Sequence, residues 1–208
     1  MPVATRVTDK SAIPVLIPAA GASRRMGGHD KLLEEVDGEA ILRRTARIAS
    51  AQSARVLVSL PDGGRRAPGR RAALAGLAVT ILPIKDAHEG MAASLRAGVA
   101  AAGTAEGLMI VLPDMPDITG DDIANLFKAF DVDMTRAVRA VTAAGVPGHP
   151  VILPRRLFAE LSVLTGDQGA RRVLAGENPG LCPLPGRHAV TDLDTPEDWA
   201  NWRAAKDQ

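Results

Sequence analysis

The sequence predicts a single-domain α/β fold, built on an open, mostly parallel sheet with helices on both faces. Three observations carry this prediction. Short β-branched or apolar runs alternate with segments whose apolar residues recur at helical spacing, the pattern of successive βα units. The first run, helix and second run together form a βαβ unit, which requires a parallel pair and a right-handed crossover. The unusual polar clusters also fall where such a sheet binds ligands, beyond the carboxyl ends of its strands.

Residues 1–11 read as a flexible leader and 12–208 as one domain. The apolar run 13–17, bounded by Pro14 and Pro18, suits a buried strand. In 38–51, Ile41, Leu42, Thr45, Ile48 and Ala49 share one helical face. The run 55–60 is a second strand. Residues 61–76, rich in Arg, Gly and Ala, read as a solvated loop leading into a short helix. Residues 79–82 form a third strand, followed by a helix that starts at Gly90 and carries Ser94 and Arg96. The most uniformly apolar strand is 107–112, ending in Pro113-Asp114-Met115-Pro116. Acidic residues in the first turn support a helix over 119–130. Strands at 137–142 and 149–153 flank the turn AAGVPG, and short helices follow at 154–164 and 167–175. Residues 189–193 read as a last strand. Thr195 is placed to cap a final helix that has Pro196 in its first position.

Composition narrows the function. Aromatic residues are 2% with no Tyr, so base-stacking platforms for nucleic acid are hard to build. A formal net charge of +1 offers no field for DNA or an anionic membrane. No run of about 18 apolar residues is present, and no apolar core precedes a small-residue cleavage site. The expectation is a cytoplasmic protein with neither nucleic-acid nor membrane partners. The single Cys182, within LCPLP, excludes an internal disulfide and reads as a small buried hydrophobe.

The loop after the first strand combines Gly21, Gly27 and Gly28 with Ser23, Arg24, Arg25 and Lys31. Glycines allow close backbone approach, and arginine and lysine supply donors for phosphate oxygens. The loop matches neither the P-loop nor the dinucleotide fingerprint. It suits a triphosphate cradle better than the alternative, a solvated basic turn after an edge strand. Asp114, held between prolines at a strand end, fits a Mg²⁺ ligand on a nucleotide or a turn former before Pro116. Asp192 or Asp194 could supply a second carboxylate, although Asp194 also sits where a helix N-terminus favours negative charge. His149, between Gly148 and Pro150, fits either a substrate contact or an idle loop histidine. Asp167 fits a helix cap, but capping leaves Gly166 and Gly169 unexplained.

Six blocks in order extend the reading: IPAAGASRRMGGHDKLL, EGMAASLRAG, VLPDMP, GVPGHPVIL, TGDQGARRVL and DLDTPEDW. Together they resemble the molybdopterin nucleotidyltransferases, most of all the molybdenum cofactor cytidylyltransferase branch. The resemblance implies a Rossmann-like, nucleotide-diphospho-sugar-transferase-like fold. It also implies transfer of CMP from CTP to the terminal phosphate of molybdenum-loaded molybdopterin, with release of pyrophosphate. By the same resemblance, Ala19, Ala20, Gly21, Ala22, Ser23, Arg24, Arg25, Gly27, Lys31 and Ser94 bind the nucleotide. Arg25, Lys31 and Asp114 carry catalysis, Asp114 and Asp194 hold Mg²⁺, and Gly148, His149, Pro150, Asp167 and Arg171 line the pterin side. A transient contact with a molybdoenzyme or its chaperone is a further expectation.

Two features of the first loop pull apart on the base. Gly28, His29 and Asp30 place three residues before Lys31, the longer form of the guanylyl branch. Ala20 stands where that branch carries a second glycine, and a Cβ beside the base would favour a pyrimidine. The sequence therefore favours CTP, with GTP as the alternative donor. Other acceptors, a sugar or polyol phosphate, and a non-catalytic cofactor-binding role are the remaining alternatives.

Overall fold

The computed structural model describes residues 10–206. Nine strands are present among them: β1 Val15–Pro18, β2 Glu35–Val36, β3 Glu39–Ala40, β4 Val56–Pro61, β5 Thr80–Ile84, β6 Gly107–Ile110, β7 Val138–Val141, β8 Pro147–Pro154 and β9 Gly180–Pro183. The helices are α1 Ile41–Gln52, α2 Ala67–Ala73, α3 Met91–Ala102, α4 Gly120–Val132, α5 Phe158–Ser162, α6 Ala170–Leu174 and α7 Pro196–Lys206. Seven strands form one sheet in the order β5-β4-β1-β6-β8-β7-β9, and β2 pairs with β3 apart from it. Within the seven-stranded sheet only the β6–β8 and β8–β7 pairs are antiparallel, so β8 alone runs against the rest. The predicted mostly parallel α/β sheet is the observed one.

Strand alternation sorts the core onto two faces. Ile17, Val58, Met109 and Ile152 face Leu42 and Ala46 of α1 and Ile123 and Phe130 of α4. Leu16, Leu57, Ile110 and Val151 face Leu95 of α3, Leu161 of α5 and Val173 of α6. Burying a side chain of this size contributes roughly 1.5–3 kcal/mol, so both faces are needed to hold the sheet. A third cluster joins Trp199 of α7 to Met26, Ile41 and Leu193. That cluster pins the C-terminal helix onto the loop leaving β1. Cys182 lies in the first cluster, as its apolar surroundings suggested, and burial pushes its thiol up. Among the described residues, no helix is long and apolar enough to cross a membrane.

Three expectations change. The helix expected from residue 38 starts at Ile41, because Asp37 and Gly38 adopt φ of 54° and 77° and turn β2 into β3. An Asp-Gly pair is a hairpin signal, and it overrides the helical periodicity here. Residues 189–193 are not a strand. They make isolated contacts instead: His149 N donates to Ala189 O at 2.9 Å, and Leu193 N donates to Asp114 O at 3.0 Å. The last strand is β9, beside β7. Of the leader, residues 1–9 lie outside the described residues, while Ser11 bridges to Ser53 next to the sheet.

Candidate active site

The loop leaving β1 is built around a buried arginine. Ala19 N donates to Ser59 O of β4 at 3.0 Å, and Ser59 Oγ donates to Ser94 Oγ at 2.9 Å. Arg70 of α2 then reaches under the loop with no exposed side-chain surface. Its Nη1 donates to Ala19 O at 2.7 Å and to Gly21 O at 2.8 Å. Its Nε and Nη2 hold Asp30 in a two-point fork at 2.8 and 2.7 Å, and Nη2 also donates to Ser23 Oγ. Asp30 Oδ1 in turn accepts from Leu32 N at 3.2 Å, capping the short turn Lys31–Leu33. Residues 61–76 therefore are not simply a solvated loop. Arg70 shares a helical face with buried Ala67 and Leu74, and that spacing was the available signal.

So anchored, the loop aims Lys31 and Arg25 at two carboxylates. Lys31 Nζ meets Asp114 Oδ2 at 2.5 Å and Asp194 Oδ1 at 2.7 Å, and Arg25 Nη1 meets Asp194 Oδ2 at 2.8 Å. The Leu193–Asp114 backbone bond and the Trp199 cluster bring Asp194 there without a strand. Burial lowers the Lys31 pKa, but the charges and hydrogen bonds of Asp114 and Asp194 outweigh it, and the net shift is upward. Asp192 is shifted up by burial and by the charges of Asp114 and Asp194. Asp114 Oδ1 is buried and has no hydrogen-bond partner among the described residues.

These groups stand at one end of a cleft of about 630 Å³ on the carboxyl edge of the sheet. Of the predicted site residues, Gly21, Ala22, Ser23, Arg25, Lys31, Ser94, Asp114, Asp167 and Asp194 line it. Asp167 faces Gly90, which admits no side chain: its φ is 75°, and a Cβ there would stand 1.9 Å from Asp167 Oδ1.

The remaining predicted residues lie elsewhere. Ala19 is fully buried, and Ala20, 5% exposed, packs into a small cluster with Ile84 and Ala93 and does not itself line the cleft. Arg24 lies in the short turn Arg24–Met26, which Gly27 ends. Gly148, His149 and Pro150 belong to the first half of β8 and do not line the cleft. Gly148 is glycine for packing, since a Cβ there would stand 1.7 Å from Ala189 O. His149 Nδ1 is buried without a partner. Burial and then the Arg139 charge push the His149 pKa down to about 4, against opposing contributions from Asp114 and the Ile110 backbone. Arg171 is exposed on α6.

An open α/β sheet with an arginine-anchored glycine loop and a facing carboxylate pair at its carboxyl edge defines a nucleotide-handling transferase class. Residues 15–181 match the MobA-like NTP transferase domain, and the chain belongs to that family. A Shewanella sp. (strain W3-18-1) protein named molybdenum cofactor guanylyltransferase is 32% identical over 145 residues, 69% of this chain and 68% of that protein. A Cereibacter sphaeroides protein of the same name is 29% identical over 192 residues, 89% of this chain and 92% of its own. Among solved structures, Rv0371c of Mycobacterium tuberculosis is 27% identical with a TM-score of 0.75, covering 92% of this chain and 98% of that one. Rv0371c has also been solved as a complex with manganese.

Proposed function

We propose that the chain transfers a nucleoside monophosphate from GTP to the terminal phosphate of a molybdopterin-type acceptor, releasing pyrophosphate. The observation that carries the reading is Lys31 bridging Asp114 and Asp194 beneath Arg25. A cation between two carboxylates at the end of a nucleotide-sized cleft suits charge handling on a triphosphate.

A divalent metal fits this donor set. Asp114 offers a buried oxygen with no protein partner, and Asp194 a second hard oxygen ligand close by. The described residues contain no cluster of three or more metal-binding side chains, so nucleotide oxygens would complete the coordination. Bound there, Mg²⁺ or Mn²⁺ would neutralise charge on the α-phosphoryl group and the departing pyrophosphate. Arg25 and Lys31 orient the phosphates, and the Ala19–Ser23 backbone fixed by Arg70 shapes the cradle. An oxygen of the acceptor phosphate attacks the α-phosphorus as the bond to pyrophosphate breaks, with no covalent enzyme intermediate required.

The choice of GTP departs from the sequence expectation of CTP. The relatives named guanylyltransferase support it. So does the three-residue spacing before Lys31, where Asp30 is the partner that Arg70 requires. The counter-argument from Ala20 carries less weight, because that side chain is buried against Ile84 and Ala93. Pyrophosphate release with molybdenum-loaded molybdopterin, Mg²⁺ and either GTP or CTP tests the reading. The expected outcome is a kcat/KM at least about tenfold higher with GTP, a difference of about 1.4 kcal/mol. Equal or greater turnover with CTP would overturn the donor assignment, and turnover with neither would overturn the reaction.

A further inference from the structure

The charges at the phosphate end of the cleft balance without any ligand. Lys31 Nζ reaches one oxygen of each carboxylate, Asp114 Oδ2 at 2.5 Å and Asp194 Oδ1 at 2.7 Å. Arg25 Nη1 takes the other Asp194 oxygen at 2.8 Å, and Asp114 Oδ1 is left without a partner among the described residues. The Lys31, Asp114 and Asp194 side chains are 16%, 14% and 20% exposed, so water screens their attraction weakly. Arg25 is 69% exposed and more strongly screened, which leaves Lys31 as the principal counter-charge.

This ammonium occupies the bridging position between the two hard oxygen donors of the site. A lysine and a divalent ion cannot share the same two carboxylates without strong like-charge repulsion. The backbone of Lys31 is fixed, since Asp30 caps its turn and is itself gripped by Arg70. The side chain is a point charge on a flexible stem, free to leave the carboxylates while the turn stays in place. It has somewhere to go, because Gly21, Ser23, Lys31 and Asp114 line the same cleft. A triphosphate in that cleft supplies anionic oxygens for the ammonium and new negative charge for a metal.

We propose that Lys31 is a tethered stand-in for the divalent cation: it keeps free metal off the empty site and yields the carboxylates when a nucleotide triphosphate arrives. Metal uptake then depends on nucleotide, and the ion is bound with or after the triphosphate. The inference rests on the reading of Asp114 and Asp194 as metal ligands, and adds to it the order in which the site fills.

Titration of the nucleotide-free full chain with Mn²⁺, followed by electron paramagnetic resonance, tests the proposal. Wild type should bind weakly. Lys31→Met should bind about 10–100-fold more tightly, the effect of removing one close like charge, and adding Asp114→Asn should abolish that gain. Lys31→Gln, which keeps a hydrogen-bonding end, should show the same gain and decides the matter where Met impairs folding. Lys31→Arg retains the charge and should stay as weak as wild type. The neutral variants should nonetheless release pyrophosphate more slowly, by about 10²-fold, because no ammonium meets the phosphates. A merely structural lesion would weaken metal binding and turnover together. Unchanged or weaker Mn²⁺ binding in both neutral variants overturns the proposal, as does a gain that survives Asp114→Asn. The transferase reading is judged separately, by pyrophosphate release in wild type, and its failure leaves the Mn²⁺ titration decisive for Lys31.

Discussion

The two walls of the cleft differ in how completely their polar groups are satisfied. On the wall formed by the opening loop, Arg70 makes bonds to Ala19, Gly21, Ser23 and Asp30, and Asp30 also caps the next turn. On the opposite side, Asp114 Oδ1 is buried with no partner among the described residues, and so is His149 Nδ1 of β8, outside the residues that line the cleft. Buried polar groups are rarely left unpaired, because doing so costs roughly 1–3 kcal/mol each. The first wall is a finished scaffold. The second leaves two buried polar atoms without a protein partner among the described residues.

Breaking the scaffold should have the largest effect on stability. Arg70→Ala strands the Asp30 carboxylate and two loop carbonyls, so denaturant unfolding should register a loss of about 3–5 kcal/mol. A loss below about 1 kcal/mol would mean that the loop holds itself and that the contrast between the walls is wrong.

The unpartnered His149 of β8 makes a different prediction, through pH. His149 has a folded pKa of about 4, below its ordinary value of 6.5. The unfolded chain therefore binds a proton first as pH falls. The stability this group contributes is present above 6.5 and lost as pH falls through 4, by roughly 3 kcal/mol in all. Unfolding of wild type and His149→Gln between pH 7 and 4 isolates it: the wild type should lose more stability. Parallel curves would place His149 in an ordinary, solvated setting and remove the contrast on that side.

The sequence made much of this legible. The βα alternation, the buried 107–112 run and the capped final helix follow from periodicity and turn chemistry, which are local. Lys31 and Asp114 were recognisable as a group because each follows a strand on the same sheet edge, whereas Asp194 was grouped with them through a strand at 189–193 that the structure does not have. Arg70 was obscured because a basic, glycine-rich stretch reads as solvated, and its burial depends on carbonyls 49 and 51 residues away. The strand expected at 189–193 failed for a similar reason. Its apolar residues are buried against Gly148 and the Met26 cluster, and burial of that kind imitates a strand in the sequence.

The central claim is that the unpaired oxygen of Asp114 serves metal-assisted nucleotidyl transfer. Single-turnover pyrophosphate release from GTP, with Mg²⁺ and molybdopterin, tests it most directly when wild type is set beside Asp114→Asn. Loss of one such charge-stabilising group is expected to slow release by about 10²–10³-fold. Release at a near wild-type rate would contradict the account.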